Sequence, residues 1–523
     1  MFLVKRLLKP ILVQGTRFQL RSFNYFKPVY FSHFSNQKIE LNNEESKSGD
    51  ARRDFVTFVQ TGLIKFSEGD LDSSFKAFQE ALRIHNETWA PTVDVIEILV
   101  YQYMIYGRKG QIQEALSTLE TAESIIPSIQ ENQHELLTKV KQLQGEILLK
   151  LGRVDEALKA LHDGLINLEK STAKDIRYRA VLYMRFIEAY KVKGNFKEAL
   201  VWGKKFLAEI NSPQVDPTRT MEVYQMLGTI YFKLRDFEKA QESYQKGLEL
   251  AGEKLPISAL LIQGLGSVAQ AQGKFNEAQT HLEKALKLAQ IHFSPKSIGL
   301  AVIYNELGIL KKHLGKLTQA IDYHKKALEI VEGKGTVEEA NTLNNLASLL
   351  LDQRKHQEAR GYLERSLEIN QKINPEVNLE LSSIYMNLGS VCRYENDFQN
   401  AIKYYKMSME NTEKIFGEDH PEGFIATKNL GITYQFALDL TNAKEYLLKS
   451  ARIADKHNIN DIYQLIDLYG CLTRLHFDLK DYDEALKYCT KAQECAKSYG
   501  DPNWIKNFEL FQKMIEDQKA GKS

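Results

Sequence analysis

One phrase returns along almost the whole chain and constrains its fold more than anything else in it. A small residue, Gly or Ala in the clearest copies, is followed twelve positions later by a second small residue. A Leu or an aromatic comes four positions after that, and a third small residue three further on. Leu227–Gly228 leads to Ala240, Tyr244 and Gly247, Leu265–Gly266 to Ala278, Leu282 and Ala285, and Leu307–Gly308 to Ala320, His324 and Ala327. Leu346–Ala347, Leu388–Gly389 and Leu430–Gly431 continue the series. The second small position runs through Ser74, Ala115, Ala157, Ala199, Ala240, Ala278, Ala320, Ala359, Ala401, Ala443 and Ala485, which makes eleven units about 42 residues apart.

Such a phrase describes two amphipathic helices joined by a short turn. Small residues stand where the helices cross, because a larger side chain there holds the backbones apart. Gly110, Gly152, Gly194, Gly273 and Gly315 fall in the turns, where a helix end favours positive φ. One pair cannot bury its apolar face alone, so units stack and share a continuous core. Proline, unused in tracing the phrase, gives an independent check. Pro91, Pro127, Pro213, Pro217, Pro256, Pro295, Pro375, Pro421 and Pro502 all fall between units or after the last one, avoiding helix interiors where each costs about 3 kcal/mol. The N-terminal units depart most, with Ser74 in place of Ala and with Tyr103 and Ile187 at small positions. After the last unit, Asp501–Pro502 reads as an N-cap and first helical residue, and Trp504, Phe508, Phe511 and Ile515 share one face, as an end cap requires. The predicted fold is all-α: an α-solenoid, a right-handed superhelix of about eleven helix–turn–helix repeats with a C-terminal capping helix.

The pattern resembles the tetratricopeptide repeat, a helix–turn–helix unit of about 34 residues. The longer period here is similar to the repeats of kinesin light chains and related scaffolds. Phe416–Gly417–Glu418–Asp419–His420–Pro421 resembles their inter-repeat loop, and Leu343–Asn344–Asn345–Leu346–Ala347 their first helix. The resemblance covers about residues 55–495 and implies a scaffold for protein partners.

The start of the chain differs. Lys5, Arg6, Lys9, Arg17, Arg21, Lys27 and Lys38 precede the first acidic residue, Glu40, and are mixed with Leu3, Leu7, Leu8, Ile11, Leu12 and Phe18. An acid-free, cationic, amphipathic segment has the composition of a mitochondrial transit peptide. Lys5, Arg6 and Lys9 interrupt the apolar run that a secretory signal needs. The organisation expected is a transit peptide at 1–39, a linker at 40–54, the tetratricopeptide-like solenoid at 55–500, and the capping helix and tail at 501–523. The expected location is mitochondrial, in the matrix or associated with the inner membrane, with the cytoplasm as the alternative.

The remainder excludes several classes. Net charge is +1, from 69 Lys+Arg and 68 Asp+Glu, and this balance offers no basic field for nucleic acid. Four cysteines cannot staple a chain this long. No stretch has the roughly 18 apolar residues of a membrane span. Gly264–Leu265–Gly266 is followed by Ala269 where a dinucleotide loop places its third Gly, and Thr138 stands where His134–Glu135 would need a second His. Gly333–Lys334–Gly335–Thr336 lacks the upstream Gly of a phosphate loop. Cys392, Cys471, Cys489 and Cys495 lack metal-ligand spacing; Cys392 and Cys489 fall on core positions, as does His324. No enzyme activity, cofactor, metal, nucleic acid or small-molecule substrate is expected.

A surface remains. The first helix of each unit is expected to line the concave side. Just before the Leu–Gly/Ala step stand Asn345, Asn387 and Asn429 in consecutive units, with Asn344 and Asn305 one step earlier in theirs. An Asn amide both donates and accepts, so such a ladder can grip an extended peptide backbone; it can equally tie neighbouring helices together. Lys312, Arg393 and Lys428 are expected to face the same groove and favour an acidic or carboxylate-bearing partner. The reading is a non-enzymatic scaffold that binds a protein or peptide partner in this groove, as an assembly factor for or peripheral subunit of a larger complex. The alternative is a cytosolic cargo or polarity adaptor similar to kinesin light chains, although the N-terminal part has no heptad coiled coil.

Overall fold

The computed structural model describes residues 46–210, 215–373 and 379–521. The segment read as a transit peptide lies outside the described residues. Among those described, all regular structure is helical. The pairs are α1 (Ser46–Glu68) with α2 (Leu71–Thr88), α3 (Val93–Arg108) with α4 (Ile112–Ile125), α5 (Gln133–Lys150) with α6 (Val154–Lys170), and α7 (Ile176–Val192) with α8 (Phe196–Glu209). Next come α9 (Pro217–Lys233) with α10 (Phe237–Ala251), α11 (Ile257–Ala271) with α12 (Phe275–His292), and α13 (Ile298–His313) with α14 (Leu317–Val331). The series ends in α15 (Val337–Asp352) with α16 (His356–Ile373), α17 (Leu379–Tyr394) with α18 (Phe398–Phe416), α19 (Phe424–Phe436) with α20 (Leu440–Lys456), and α21 (Ile462–Asp478) with α22 (Tyr482–Tyr499). A last helix, α23 (Pro502–Lys519), packs on α22. The chain divides into two compact units, Met1–Glu306 and Leu307–Ser523.

All eleven traced small positions, Ser74 through Ala485, have 0 % of their surface exposed. The reason is visible at the glycines of the first helices. A Cβ added at Gly228 would lie 2.6 Å from the Tyr244 ring, at Gly389 2.8 Å from Tyr405, and at Gly431 2.7 Å from Leu447. The large residue of the second helix sits against bare backbone of the first. Where small residues are replaced, the packing compensates. Ser74 donates its hydroxyl to the Gly62 carbonyl at 2.8 Å, which satisfies the polar atom in a dry crossing. Ile187 is buried, and its unit carries Gly203 where most others carry Leu or an aromatic.

The turns repeat as closely. Gly110, Gly152, Gly194 and Gly273 have φ of 74–75°, and Gly315 has 70°. Arg235, Arg354, Asn396, Leu438 and Lys480 take the same conformation at 60–62° in the units without Gly. Among described prolines, Pro217 and Pro502 open helices, Pro256 caps one, and Pro127 and Pro421 lie in short 3₁₀ turns.

One boundary needs correction. The stretch 40–54 reads as a linker, yet α1 begins at Ser46 and includes its second half. Phe55 and Val59 are 5 % and 2 % exposed in a core shared with Phe78 and Ala81 of α2. That anchored face sustains the helix backwards through polar residues, since propagation is easy once a helix is nucleated.

Candidate partner-binding face

Successive first helices pack on one another: α5 on α7 and α9 on α11 in the first unit, α15 on α17 and α19 on α21 in the second. Second helices pack instead on the first helix of the next pair, as α10 does on α11 and α18 on α19. First helices that pack in this way lie side by side on one face of their unit.

Polar side chains lace this layer together. In the first unit the Arg185 guanidinium donates to Glu146 at 2.7 Å and to Glu188 at 2.8 Å. Burial opposes the Glu188 charge, but Arg185 together with Lys191 and Lys150 outweighs it and holds the carboxyl below its ordinary range. A cleft of about 240 Å³ between α7 and α9, lined partly by Met184 and Met226, lies beside these paired charges. Ser267 donates to Glu306 at 2.8 Å; burial nevertheless pushes the Glu306 carboxyl above its ordinary range.

The expected site residues divide into two groups. Asn305 is buried, 8 % exposed, in the first unit and has an internal partner. In the second unit, Asn387 donates its amide to the Asn344 carbonyl oxygen at 2.9 Å, which joins α17 to α15. Lys312 donates to Ser348 at 2.7 Å and pairs with Asp352 at 2.9 Å. Lys428, expected to meet a partner, is 2 % exposed, bonds Gln464 and pairs with Asp467 on α21. Asn344, Asn387, Lys312 and Lys428 are thus helix-to-helix ties; for the two lysines the reason is that a buried or half-buried ammonium is costly without a local counter-charge. The correction applies to Lys428 most strongly.

The second group keeps its polar atoms available. Asn345, Arg393 and Asn429 are half-buried. Among the described residues, neither amide side chain makes an internal hydrogen bond, and no carboxylate lies within ion-pair distance of Arg393. The guanidinium rests 5.7 Å from the Tyr394 ring centre.

Sequence reasoning missed two rings beside this group. Tyr394 and Phe436 are 56 % and 61 % exposed. They follow Asn387 and Asn429 by seven positions, two helical turns along the same face, and that spacing is the signal that finds them. Tyr394 stacks on His356 with centroids 4.4 Å apart, and Phe436 on Phe398 at 6.2 Å.

The rejected motifs have structural explanations. The Gly333 and Gly335 amides donate to the Glu339 carboxylate at 3.0 and 2.9 Å. Burial works against that charge, but these amides and Arg365 outweigh it and lower its pKa. The loop thus binds a carboxylate of its own chain. Cys392 and Cys489 are buried. The 416–421 loop is held by Phe416 stacked on His420 at 4.4 Å and by a contact of the His457 ring with the Asp419 carbonyl at 2.9 Å. Among the described residues no cluster of three or more His, Cys, Asp or Glu is placed to hold a metal. No described helix is long and apolar enough to cross a membrane.

Comparison with known proteins agrees with the geometry. Tetratricopeptide-repeat family models match residues 257–333 and 380–456, 340–376, and 222–254. The Arabidopsis thaliana protein Kinesin light chain-related 3 is 23 % identical over 306 residues, 57 % of this chain and 45 % of that protein. Human mitochondrial tetratricopeptide repeat protein 19 is 30 % identical over 95 residues, 17 % of this chain and 24 % of that protein. The crystal structure of a tetratricopeptide repeat protein from Parabacteroides merdae covers 56 % of this chain and 99 % of its own, at 18 % identity and a TM-score of 0.42. The chain spans about half the length of the first of the curated relatives it matches. It is a tetratricopeptide-repeat protein whose long repeats are of the kinesin-light-chain-like form.

Proposed function

We propose that this chain is a non-enzymatic scaffold that holds an extended partner segment on the first-helix face of its second unit, α15 to α21. The carrying observation is the pair of half-buried amides, Asn345 and Asn429, left without internal partners while their neighbours are tied. A buried or half-buried amide normally finds a hydrogen-bond partner, and a peptide backbone supplies one. The scaffold works in mitochondria, as an assembly factor for or peripheral subunit of a larger complex. Support for that location comes from the acid-free cationic residues 1–39 and from the partial similarity to a protein named mitochondrial.

A second reading, a cytosolic cargo or polarity adaptor, draws on the similarity to proteins named kinesin light chain-related. A fluorescent tag at the C-terminus of the full chain separates the two. Fluorescence inside mitochondria that is lost when residues 1–39 are deleted is the result expected. Diffuse or filament-associated fluorescence favours the adaptor.

A further inference from the structure

One edge of the first unit carries aliphatic side chains that its core does not use. Leu250, near the end of α10, is 52 % exposed, and Leu255, in the loop that follows, 37 %. One repeat further on, Ile291 near the end of α12 is 74 % exposed, and Ile298, which opens α13, 36 %. Phe293 and Leu300, close to the last two in sequence, are buried, so the core here is filled without them. The two repeats meet at this edge. Lys284 pairs with Glu253 and so holds the turn before Leu255 against α12. Lys284, Lys287 and Ile291 follow one stripe of that helix, at i, i+3 and i+7. A Cβ added at Gly299 would approach Phe293 at 2.9 Å and Leu260 of α11 at 3.6 Å, which sets the start of α13 beside α11. The charge around the four aliphatics is mainly positive. Glu249 precedes Leu250 and Glu253 is taken up by Lys284, but from Lys284 to Asn305 no Asp or Glu occurs. Lys254, Lys287 and Lys296 are exposed. Among the described residues no carboxylate lies within ion-pair distance of Lys254 or Lys287.

We infer that this edge, the ends of α10 and α12 with the loops after them, docks on an anionic lipid membrane. Exposed aliphatic groups rimmed by cations mark an interaction surface, and the combination selects the partner. A purely apolar partner has no use for the ammonium groups, and a purely acidic one has none for Leu255 and Ile291. A membrane with anionic headgroups meets both. The four aliphatics enter the boundary between headgroups and acyl chains, where their surface leaves water. Lys254, Lys287 and Lys296 lay their stems along that boundary and hold their charged ends at the phosphates. Each lysine near such a surface raises affinity about fivefold. The contact is peripheral and made by loops and helix ends. It uses neither Asn345 nor Asn429, so it does not depend on the groove reading above.

Hydrogen exchange read by mass spectrometry, on the full chain alone and with lipid vesicles, locates the contact. A readout by position is needed because the cationic, apolar residues 1–39 are themselves suited to such a surface. Vesicles of phosphatidylcholine mixed with phosphatidylserine should slow exchange in 250–256 and 291–298, and vesicles of phosphatidylcholine alone should not. Lys254→Ala with Lys287→Ala should raise the lipid concentration that half-protects 291–298 by roughly 25-fold, about fivefold for each lysine. Leu255→Ser with Ile291→Ser should raise it by about tenfold or more. All four side chains are exposed, so both variants should melt with the wild type. Protection confined to residues 1–39, protection of 291–298 that both variants retain in full, or equal protection by neutral vesicles overturns the inference. So does equal protection by soluble polyglutamate, which makes the edge a docking surface for an acidic protein.

Discussion

His324 occupies a crossing where the units on either side place Leu282 and Leu363, and its ring lies against the bare backbone of Gly308. Burial, with a smaller contribution from Lys312, brings its pKa down to about 4. The ring is therefore neutral in the fold at pH 7. Above the unfolded value of about 6.5 its stability contribution is fully present. As the pH falls from there towards 4, the unfolded chain takes up a proton that the folded chain refuses, and stability is lost. The expected loss is about 2 kcal/mol by pH 5. Urea midpoints at pH 7 and pH 5 check this: His324→Leu should shrink the drop, and an equal drop in both proteins contradicts it. Lys428, also buried, has a carboxylate beside it, that of Asp467. Asp467→Ala, which strands a buried ammonium, should cost about 2 kcal/mol in thermal or urea unfolding. This is also the scale at which the sequence was least informative. Asn344 and Asn345 are adjacent in the chain but about 100° apart around the helix; one reaches Asn387 and the other stays unbonded. Which of two neighbours meets the next helix depends on the register between helices, and no single repeat contains that information. For the same reason Lys428 reads as a groove cation until α21 brings Asp467 to it.

At the scale of the helix pair, the crossing glycines carry the fold. A Cβ at Gly431 would meet the Leu447 backbone nitrogen at 2.9 Å as well as its side chain, and backbone cannot swing away. Gly431→Ala is therefore expected to destabilise by about 1–3 kcal/mol. Gly361 is exposed in the middle of α16 with nothing within 4 Å of an added Cβ, and Gly361→Ala should stabilise by about 0.5–1 kcal/mol. Paired melting curves decide it; two changes of the same sign would break the crossing argument. The pairs themselves were legible because packing forces small residues to recur. The five turns that hold positive φ without glycine were not, because a single αL residue costs only about 1–2 kcal/mol, which a stacked pair can absorb. At one of them, Leu438→Gly should raise stability by about 1 kcal/mol; a melting temperature that is unchanged or lower contradicts this.

For the whole chain, spacing alone gave the class of fold and the number of units, because each unit repeats one mechanical problem with one solution. The position of the proposed binding face followed from that solution, but the residues proposed to act there did not. Unused amides, an unpaired guanidinium and exposed rings are defined by what surrounding helices leave over. The central claim is that a partner lies along the first helices of the second unit. Hydrogen exchange read by mass spectrometry, on the full chain alone and with its co-purified partner, addresses it directly. Slowed exchange in 337–352, 379–394, 424–436 and 462–478, abolished by Asn345→Ala with Asn429→Ala, is the result predicted. Protection confined to the second helices α16, α18 and α20, or protection that survives loss of both amides, would contradict the account.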